Sequence, residues 1–544
     1  MLQSCFHLFV FFTKLQIHTK HTRTVKKYLL YTLFAALLFF GGLIPLLNLE
    51  SVQERYTPST STLAFPPLRG DLQRLQQSIT YKTISQDPRM LDTAAFDGFG
   101  QFLRVSYPDL FATLTVDTFS THTYFLHWPS PSPESKNYLF IAHQDVVPVD
   151  QKSLDQWHYP PFSGAFERAP GESDGAEIGY IYARGTLDDQ SSLMALMETL
   201  ESLAFQNFQP AHNLYFCLGQ DEEIGGQAGA ALVAEHCRQT GLSFEAILDE
   251  GGIISTGSIP GLKESPVALI GTAEKGYLSV EVSFNIPGGH SSMPNSQTAI
   301  THSAGFINDL SEGLFESQFS QPLNGFIDHL APEMPWTLKT VFANRYLTEP
   351  LLLNLYQKSH TGRALTNNTA VATIMASGIK DNVVPASARV VCNTRILPGT
   401  TPEDVLARYQ ALAAEYGGTV EPYQNMGSAA TNTSSADSED FVKLGQAVKE
   451  IFPEALISPY LTIGGTDSKN FEGLSKNTYR FLPMTLSPDE VGGIHGTNER
   501  IDLEEYRKMV LTWQKLCREK PKEIIITWDG KHVTVEGRNE IAKK

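Results

Sequence analysis

Cysteine is scarce in this chain of 544 residues, and what there is excludes a disulfide framework. The five cysteines, Cys5, Cys217, Cys237, Cys392 and Cys517, are odd in number and widely scattered. A stapled secreted domain shows an even count at close spacings. Cys217 and Cys392 fall inside strand-like apolar runs and read as small buried hydrophobes. Positive charge is also in deficit: 42 Lys and Arg against 59 Asp and Glu leave −17. That balance argues against a nucleic-acid partner and for an acidic globular body. With 42% hydrophobic residues the chain has ample material for a core, and its length implies two folding units plus appendages.

Charge is missing altogether from one stretch. Tyr28 to Leu49 spans 22 residues without a charged side chain, long enough for a helix across a hydrocarbon core of about 30 Å. Acids are absent from residues 1–27, which carry Lys14, Lys20, Arg23, Lys26 and Lys27, whereas Glu50 and Glu54 follow the run. This asymmetry predicts a basic cytoplasmic tail over 1–27, a single-pass membrane anchor over 28–49, and an exported or lumenal body. Cleavage would give a secreted protein instead, but the run exceeds a usual signal core and no clean small-X-small site precedes Glu50. Residues 50–68, with Thr57-Pro58-Ser59-Thr60-Ser61-Thr62, read as a linker.

Beyond the linker, apolar runs alternate with helical periodicity. Tyr138–Ala142, Leu214–Leu218 and Phe244–Leu248 have the character of buried strands. Leu193, Leu196, Met197, Leu200 and Leu203 recur at helical spacing, and a second helix near Ala228–Arg238 stops before Gly241. The alternation predicts an α/β domain, a mixed sheet flanked by helices. From about Pro266 the period becomes two, most clearly where Ala388, Val390, Cys392, Thr394 and Ile396 alternate with Arg389, Val391, Asn393 and Arg395. A sheet with one covered and one polar face fits that pattern. The expected organisation is a catalytic domain over 69–267 and 399–544, interrupted by an α+β unit over 268–398. Within the second part, Asn425–Asp440 reads as an exposed loop and Ile524–Gly537, around Asp529-Gly530, as a β-hairpin.

The chemistry lies in clusters that mostly end apolar runs. His143 and Asp145 close Leu139-Phe140-Ile141-Ala142-His143-Gln144-Asp145. Asp188-Asp189 follow Arg184-Gly185-Thr186-Leu187, Asp221-Glu222-Glu223 precede Ile224-Gly225-Gly226, Asp249-Glu250 precede Gly251-Gly252, and His495 sits in Gly492-Gly493-Ile494-His495-Gly496-Thr497. Singly, each has an ordinary explanation, such as an acidic helix N-terminus. Jointly, two histidines and several carboxylates at strand ends suit a pair of zinc-like ions. Open α/β sheets gather their sites at the carboxyl ends of strands, so these residues can converge on one rim.

The order of these motifs resembles the co-catalytic zinc family that includes aminoacylase, bacterial glutamate carboxypeptidase and yeast vacuolar carboxypeptidase S. The resemblance is nearest to the carboxypeptidase S branch, which also contains the N-fatty-acyl-amino-acid synthase/hydrolase. It covers roughly residues 70 to 515, and its most specific pieces are Arg184-Gly185-Thr186-Leu187-Asp188-Asp189, Gly288-Gly289-His290-Ser291-Ser292-Met293-Pro294 and Gly465-Thr466-Asp467-Ser468. The resemblance implies two Zn²⁺ ions per subunit. Asp188 would bridge them, His143 and Asp249 would complete one shell, and Glu223 and His495 the other. Glu222 would be the general base for a water made acidic by the metal, and Asp145 would orient His143. A cis peptide between Asp188 and Asp189 is implied as well.

The inserted unit stands where the family has its lid or dimerisation domain, so a homodimer is a possible partner state. There the resemblance gives His290 the task of polarising the substrate carbonyl. Arg395, on the polar face of its strand, suits bidentate recognition of a carboxylate, with Asn382 as its companion. Gly465 and Thr466 would approach the substrate's carboxylate end through backbone groups. The chain departs from its relatives at Asn367-Asn368-Thr369 and at Gln220. The expected activity is zinc-dependent cleavage of an amide next to a free α-carboxylate, as a carboxypeptidase on short peptides. N-acyl amino acid hydrolysis or synthesis is the alternative, and a non-catalytic binding relative a remote one.

Overall fold

The computed structural model describes residues 31–32, 49–57, 70–87, 91–173, 175–518, 523–528 and 533–538. The chain divides into two units: residues 1–51 with 331–352, and 52–330 with 353–544. In the first, the described part includes the short helix Trp336–Ala343, where Lys339 Nζ donates to the Pro332 carbonyl (3.2 Å).

The second unit is built on a ten-stranded mixed sheet. At its centre Asn137–His143 lies parallel to both Asn213–Gly219 and Phe244–Asp249, and Ser475–Arg480 runs parallel to Phe244–Asp249. Val and Ile are fewer here than Leu, Phe and Tyr, but the runs are continuous and bury both faces, as parallel strands require. Because the centre is parallel, His143 pairs with Gly219 and Asp249 with Arg480, so the carboxyl ends meet at one rim.

The expected helix is Gln190–Phe205, beginning directly after Asp189. Its Leu193, Leu196, Met197, Leu200 and Leu203 share a core with Tyr506, Met509, Val510 and Trp513 of the helix Leu503–Cys517. The next helix, Ala230–Thr240, ends where Gly241 takes φ 72°, the left-handed stop that glycine permits.

A separate four-stranded antiparallel sheet runs in the order Thr369–Ser377, Ser387–Ile396, Gly276–Asn285, Gly418–Ser428. Ala388, Val390, Cys392 and Ile396 face a core with Phe306 and Leu310 of helix Ala299–Gly313 and Val405 and Tyr409 of helix Pro402–Glu415. The last strand takes in part of the expected 425–440 loop, so the irregular stretch begins only after Ser428. The hairpin at the end is present, with Glu523–Trp528 antiparallel to Val533–Arg538.

The membrane placement is corrected. Among the described residues no helix is long and apolar enough to cross a membrane. A crossing needs about 20 residues, whereas the buried helix Gln190–Phe205 has 16. The run 28–49 itself lies outside the described residues except for 31, 32 and 49. In the expected linker, Gln53–Tyr56 is a 3₁₀ turn docked on the large sheet: Tyr56 is buried, and the Gln53 amide exchanges hydrogen bonds with the backbone of Ile457.

Candidate metal centre

Asp188 is the hub of the rim. His143 Nε2 lies 3.1 Å from Asp188 Oδ1, and His495 Nε2 lies 3.0 Å from Asp188 Oδ2 and 3.2 Å from Glu223 Oε1. Two donor sets result, His143 with Asp188 and Glu250, and Asp188 with Glu223 and His495, the ligand atoms of each lying within 4.8 Å of one another. The peptide between Asp188 and Asp189 is cis. Behind the hub, the Asp145 carbonyl and carboxylate face His143 Nδ1 at 2.9 and 3.4 Å. The Asp145 carboxylate also accepts the backbone N–H groups of Glu222 and Glu223, both at 3.1 Å, and the Ser85 hydroxyl. One buried acid therefore fixes the imidazole and the turn carrying both glutamates.

Asp249, expected as a ligand, is turned elsewhere. It is the last residue of its strand, and its Oδ2 accepts the Ser468 N–H at 2.7 Å. Glu250, one residue further, takes the place beside His143 and Asp188. Glu250 lies just beyond the strand, in the bend before Gly251-Gly252, and is aimed differently from Asp249.

The electrostatics fit a cationic guest. Burial raises the Glu250 carboxyl well above its ordinary range, with Asp188 and Glu222 adding to the rise. Burial likewise raises Glu222, opposed by His143 and reinforced by Asp467 and Asp188. Hydrogen bonds that the ring donates to the Asp188 and Glu223 carboxylates push His495 up to about 10. Crowded, dehydrated carboxylates of this kind are relieved by a divalent ion, and nitrogen and oxygen donors in two convergent sets are the chemistry zinc takes. The residues present therefore fit the group.

The Gly465 loop is tied to Asp249 through the Ser468 N–H. Thr466 donates to Glu274 Oε2 at 3.0 Å and shares a 2.7 Å bond with the Ser468 hydroxyl. A side chain at Gly465 would begin 3.8 Å from Arg395 Nη1 and 3.6 Å from both Lys469 Nζ and Glu274 Oε1. Arg395 and Gly465 are thus brought together, with Lys469, which no sequence argument had singled out. Arg395 also lies over the Tyr277 ring, 5.2 Å from its centre. His290 and Asn382 stand apart from this group, at an exposed two-stranded ribbon pairing Gly289–His290 with Val383–Val384. The His290 ring accepts from the Ser292 N–H and bonds its hydroxyl, and the Asn382 carbonyl accepts the Ser291 N–H. Among the described residues no hydrogen bond or ion pair joins His290 or Asn382 to the hub. Of the departures, Asn367 receives the Gln357 amide (2.6 Å) and Gln220 the His122 N–H (2.8 Å), both internal supports.

Residues 139–519 match Peptidase family M20/M25/M40. The chain belongs to that family. It is 31% identical to the bovine N-fatty-acyl-amino acid synthase/hydrolase PM20D1, over 80% of this chain and 85% of that protein. It is also 31% identical to the Probable carboxypeptidase S-like 2 of Dictyostelium discoideum, over 83% of this chain and 85% of that protein. In fold it is similar to the M20 family metallo-carboxypeptidase Sso-CP2 from Sulfolobus solfataricus (TM-score 0.59, 18% identity, 82% of this chain and 98% of that chain). As a member of the M20 family the chain is a metal-dependent hydrolase of the metallopeptidase type.

Proposed function

We propose that the protein binds two zinc ions and cleaves the amide bond next to a free α-carboxylate, acting as a carboxypeptidase on short peptides. The observation that carries this reading is the single carboxylate, Asp188, shared by two donor sets. His143, Asp188 and Glu250 would hold one ion, and Asp188, Glu223 and His495 the other. When bound, the metal supplies Lewis-acid polarisation and makes a water acidic enough to attack near neutral pH. Glu222, on the same turn as Glu223 and raised by burial, takes the proton from that water and passes it to the leaving amine. Asp145 holds the His143 ring and both glutamates in register. Arg395 and Lys469, meeting over Gly465, receive the carboxylate, and Thr466 fixes the Gly465 loop on Glu274. His290 lies on the two-stranded ribbon and Asn382 directly before it; the ribbon and the second sheet together act as a lid extending through Ser428, and the two residues reach substrate when it closes.

Hydrolysis of N-acyl amino acids is the second reading, favoured by the likeness to the bovine synthase/hydrolase across 85% of its length. Both readings share one test. Zinc-depleted protein should be inactive on blocked dipeptides and recover with added zinc, and a C-terminal amide should be a poor substrate. Arg395→Ala should erode that preference for carboxylate over amide. Full activity in protein shown by elemental analysis to be metal-free would refute the proposal.

The edge strand Thr369–Ser377 leaves Val371, Ile374 and Met375 exposed, and an unpaired apolar edge invites a second strand. We read it as the contact of a homodimer. Sedimentation should give twice the chain mass and Val371→Lys with Met375→Lys should give the monomer; a monomeric parent excludes this contact.

A further inference from the structure

We infer that Arg184 and Glu499 are a positioning pair that sets His495 against Asp188, an inference that rests on the reading of those two residues as metal ligands. Arg184 and His495 are 311 positions apart in the chain, and they are brought side by side by a small antiparallel sheet in which Arg500 pairs with Tyr182. Where the two strands end, a closed set of bonds takes over. Glu499 Oε1 accepts the Leu187 N–H at 2.8 Å, immediately before Asp188. Arg184 Nη1 donates to Glu499 Oε2, and Arg184 Nη2 donates to the His495 carbonyl at 3.0 Å. The Ala183 N–H donates to the Glu499 carbonyl at 3.1 Å.

The contrast in burial says what this pair is for. The side chains of Arg184 and Glu499 are 4% and 0% exposed, whereas that of His495 is 46% exposed. Packing therefore does little to hold the imidazole. His495 also takes φ 57°, a left-handed conformation that residues other than glycine adopt infrequently, so its backbone needs outside support. The bond from Arg184 to the His495 carbonyl gives that support, and the bond from Glu499 to Leu187 ties the same clamp to the hub. The guanidinium fork reaches carboxylate and carbonyl together; a lysine ammonium has no such fork. Among the described residues neither side chain is hydrogen-bonded to the donor atoms of His495 or Asp188.

The test is zinc affinity, measured by chelator competition on the full chain, together with the melting temperature of metal-free protein. Arg184→Lys should melt close to the parent when metal-free, bind one zinc normally and the second 10–100-fold more weakly, the range typical for lost outer-sphere support. Turnover should fall in proportion while KM stays near the parent value. Arg184→Met with Glu499→Gln, which removes both charges and keeps an acceptor for Leu187, is measured alongside and should behave the same way. Parent-like zinc affinity in either folded variant overturns the inference. So does weak zinc binding matched by an equal loss of metal-free stability, or failure of both variants to fold, since the pair is then cement for the fold. A parent that binds no zinc sinks the metal reading and the inference with it.

Discussion

The neighbouring acids Asp249 and Glu250 show how much depends on one step past the end of a strand. Asp249 ends its strand and spends its carboxylate on the Ser468 N–H, which leaves Glu250 for the rim. Glu250→Gln should therefore lose one metal, and Asp249→Asn should keep both while loosening the 465–468 loop. Glu222→Gln should retain metal and lose about 10²–10⁴-fold in turnover, the usual contribution of a general base. Elemental analysis of the three purified variants decides the assignment, and a metal-replete Glu250→Gln would return the ligand role to Asp249. At this scale the sequence was legible wherever a lone residue follows an apolar run, as with His143, because the strand itself aims it. It was ambiguous where two acids stand together, since the turn that picks between them depends on a loop more than 200 residues later. Lys469 was illegible for the same reason: its neighbours at Gly465, Glu274 and Arg395, come from two distant strands.

Strands and helices were read more easily than the places where they change partners. Gln190–Phe205 carries a complete apolar face, and Ser387–Ile396 alternates cleanly, so each declared its own type. That Gly418–Ser428 returns to the second sheet is set by its pairing with Gly276–Asn285, which local pattern does not encode. Lys275 lies at the junction where the strand Val267–Glu274 of the large sheet passes into Gly276–Asn285 of the second. Its ammonium donates to the Ala364 and Asn367 carbonyls at 2.8 and 2.7 Å. Burial, with Arg395 adding repulsion, lowers it from 10.5 to about 7. A lysine depressed in the folded state binds fewer protons there than in the unfolded chain between those two values, so its contribution to stability rises with pH across that window. Below about pH 7 the cost of burying the charge is carried in full. Melting curves from pH 6 to 10 should therefore show the parent gaining on Lys275→Met as pH rises. Parallel curves would mean that this lysine titrates normally and the junction is wetter than its burial indicates.

For the molecule as a whole, the open choice is what precedes the scissile amide. In the proposed reading the shared Asp188 and the Arg395–Lys469 pair over Gly465 act on the amide and on the carboxylate beyond it, and would serve a peptide and an N-acyl amino acid equally. The two substrates differ only on the far side of the bond. A fatty chain that enters a dedicated pocket contributes about 0.8 kcal/mol per buried methylene, about fourfold in affinity for each carbon, so KM should fall steadily from acetyl through octanoyl to oleoyl. A peptidase pocket is finite and polar at its mouth: the gain should stop after a few carbons, and an aminoacyl group should be turned over faster than an acyl group of equal length. Holding the C-terminal residue fixed and varying only the group on its nitrogen isolates this side of the site, because the metal and carboxylate contacts are then common to every member of the panel. We expect the aminoacyl members to show the highest kcat/KM. An optimum at oleoyl would assign the protein to the acyl-amino-acid chemistry of its bovine relative, and would place a long apolar channel beside the Glu222 turn.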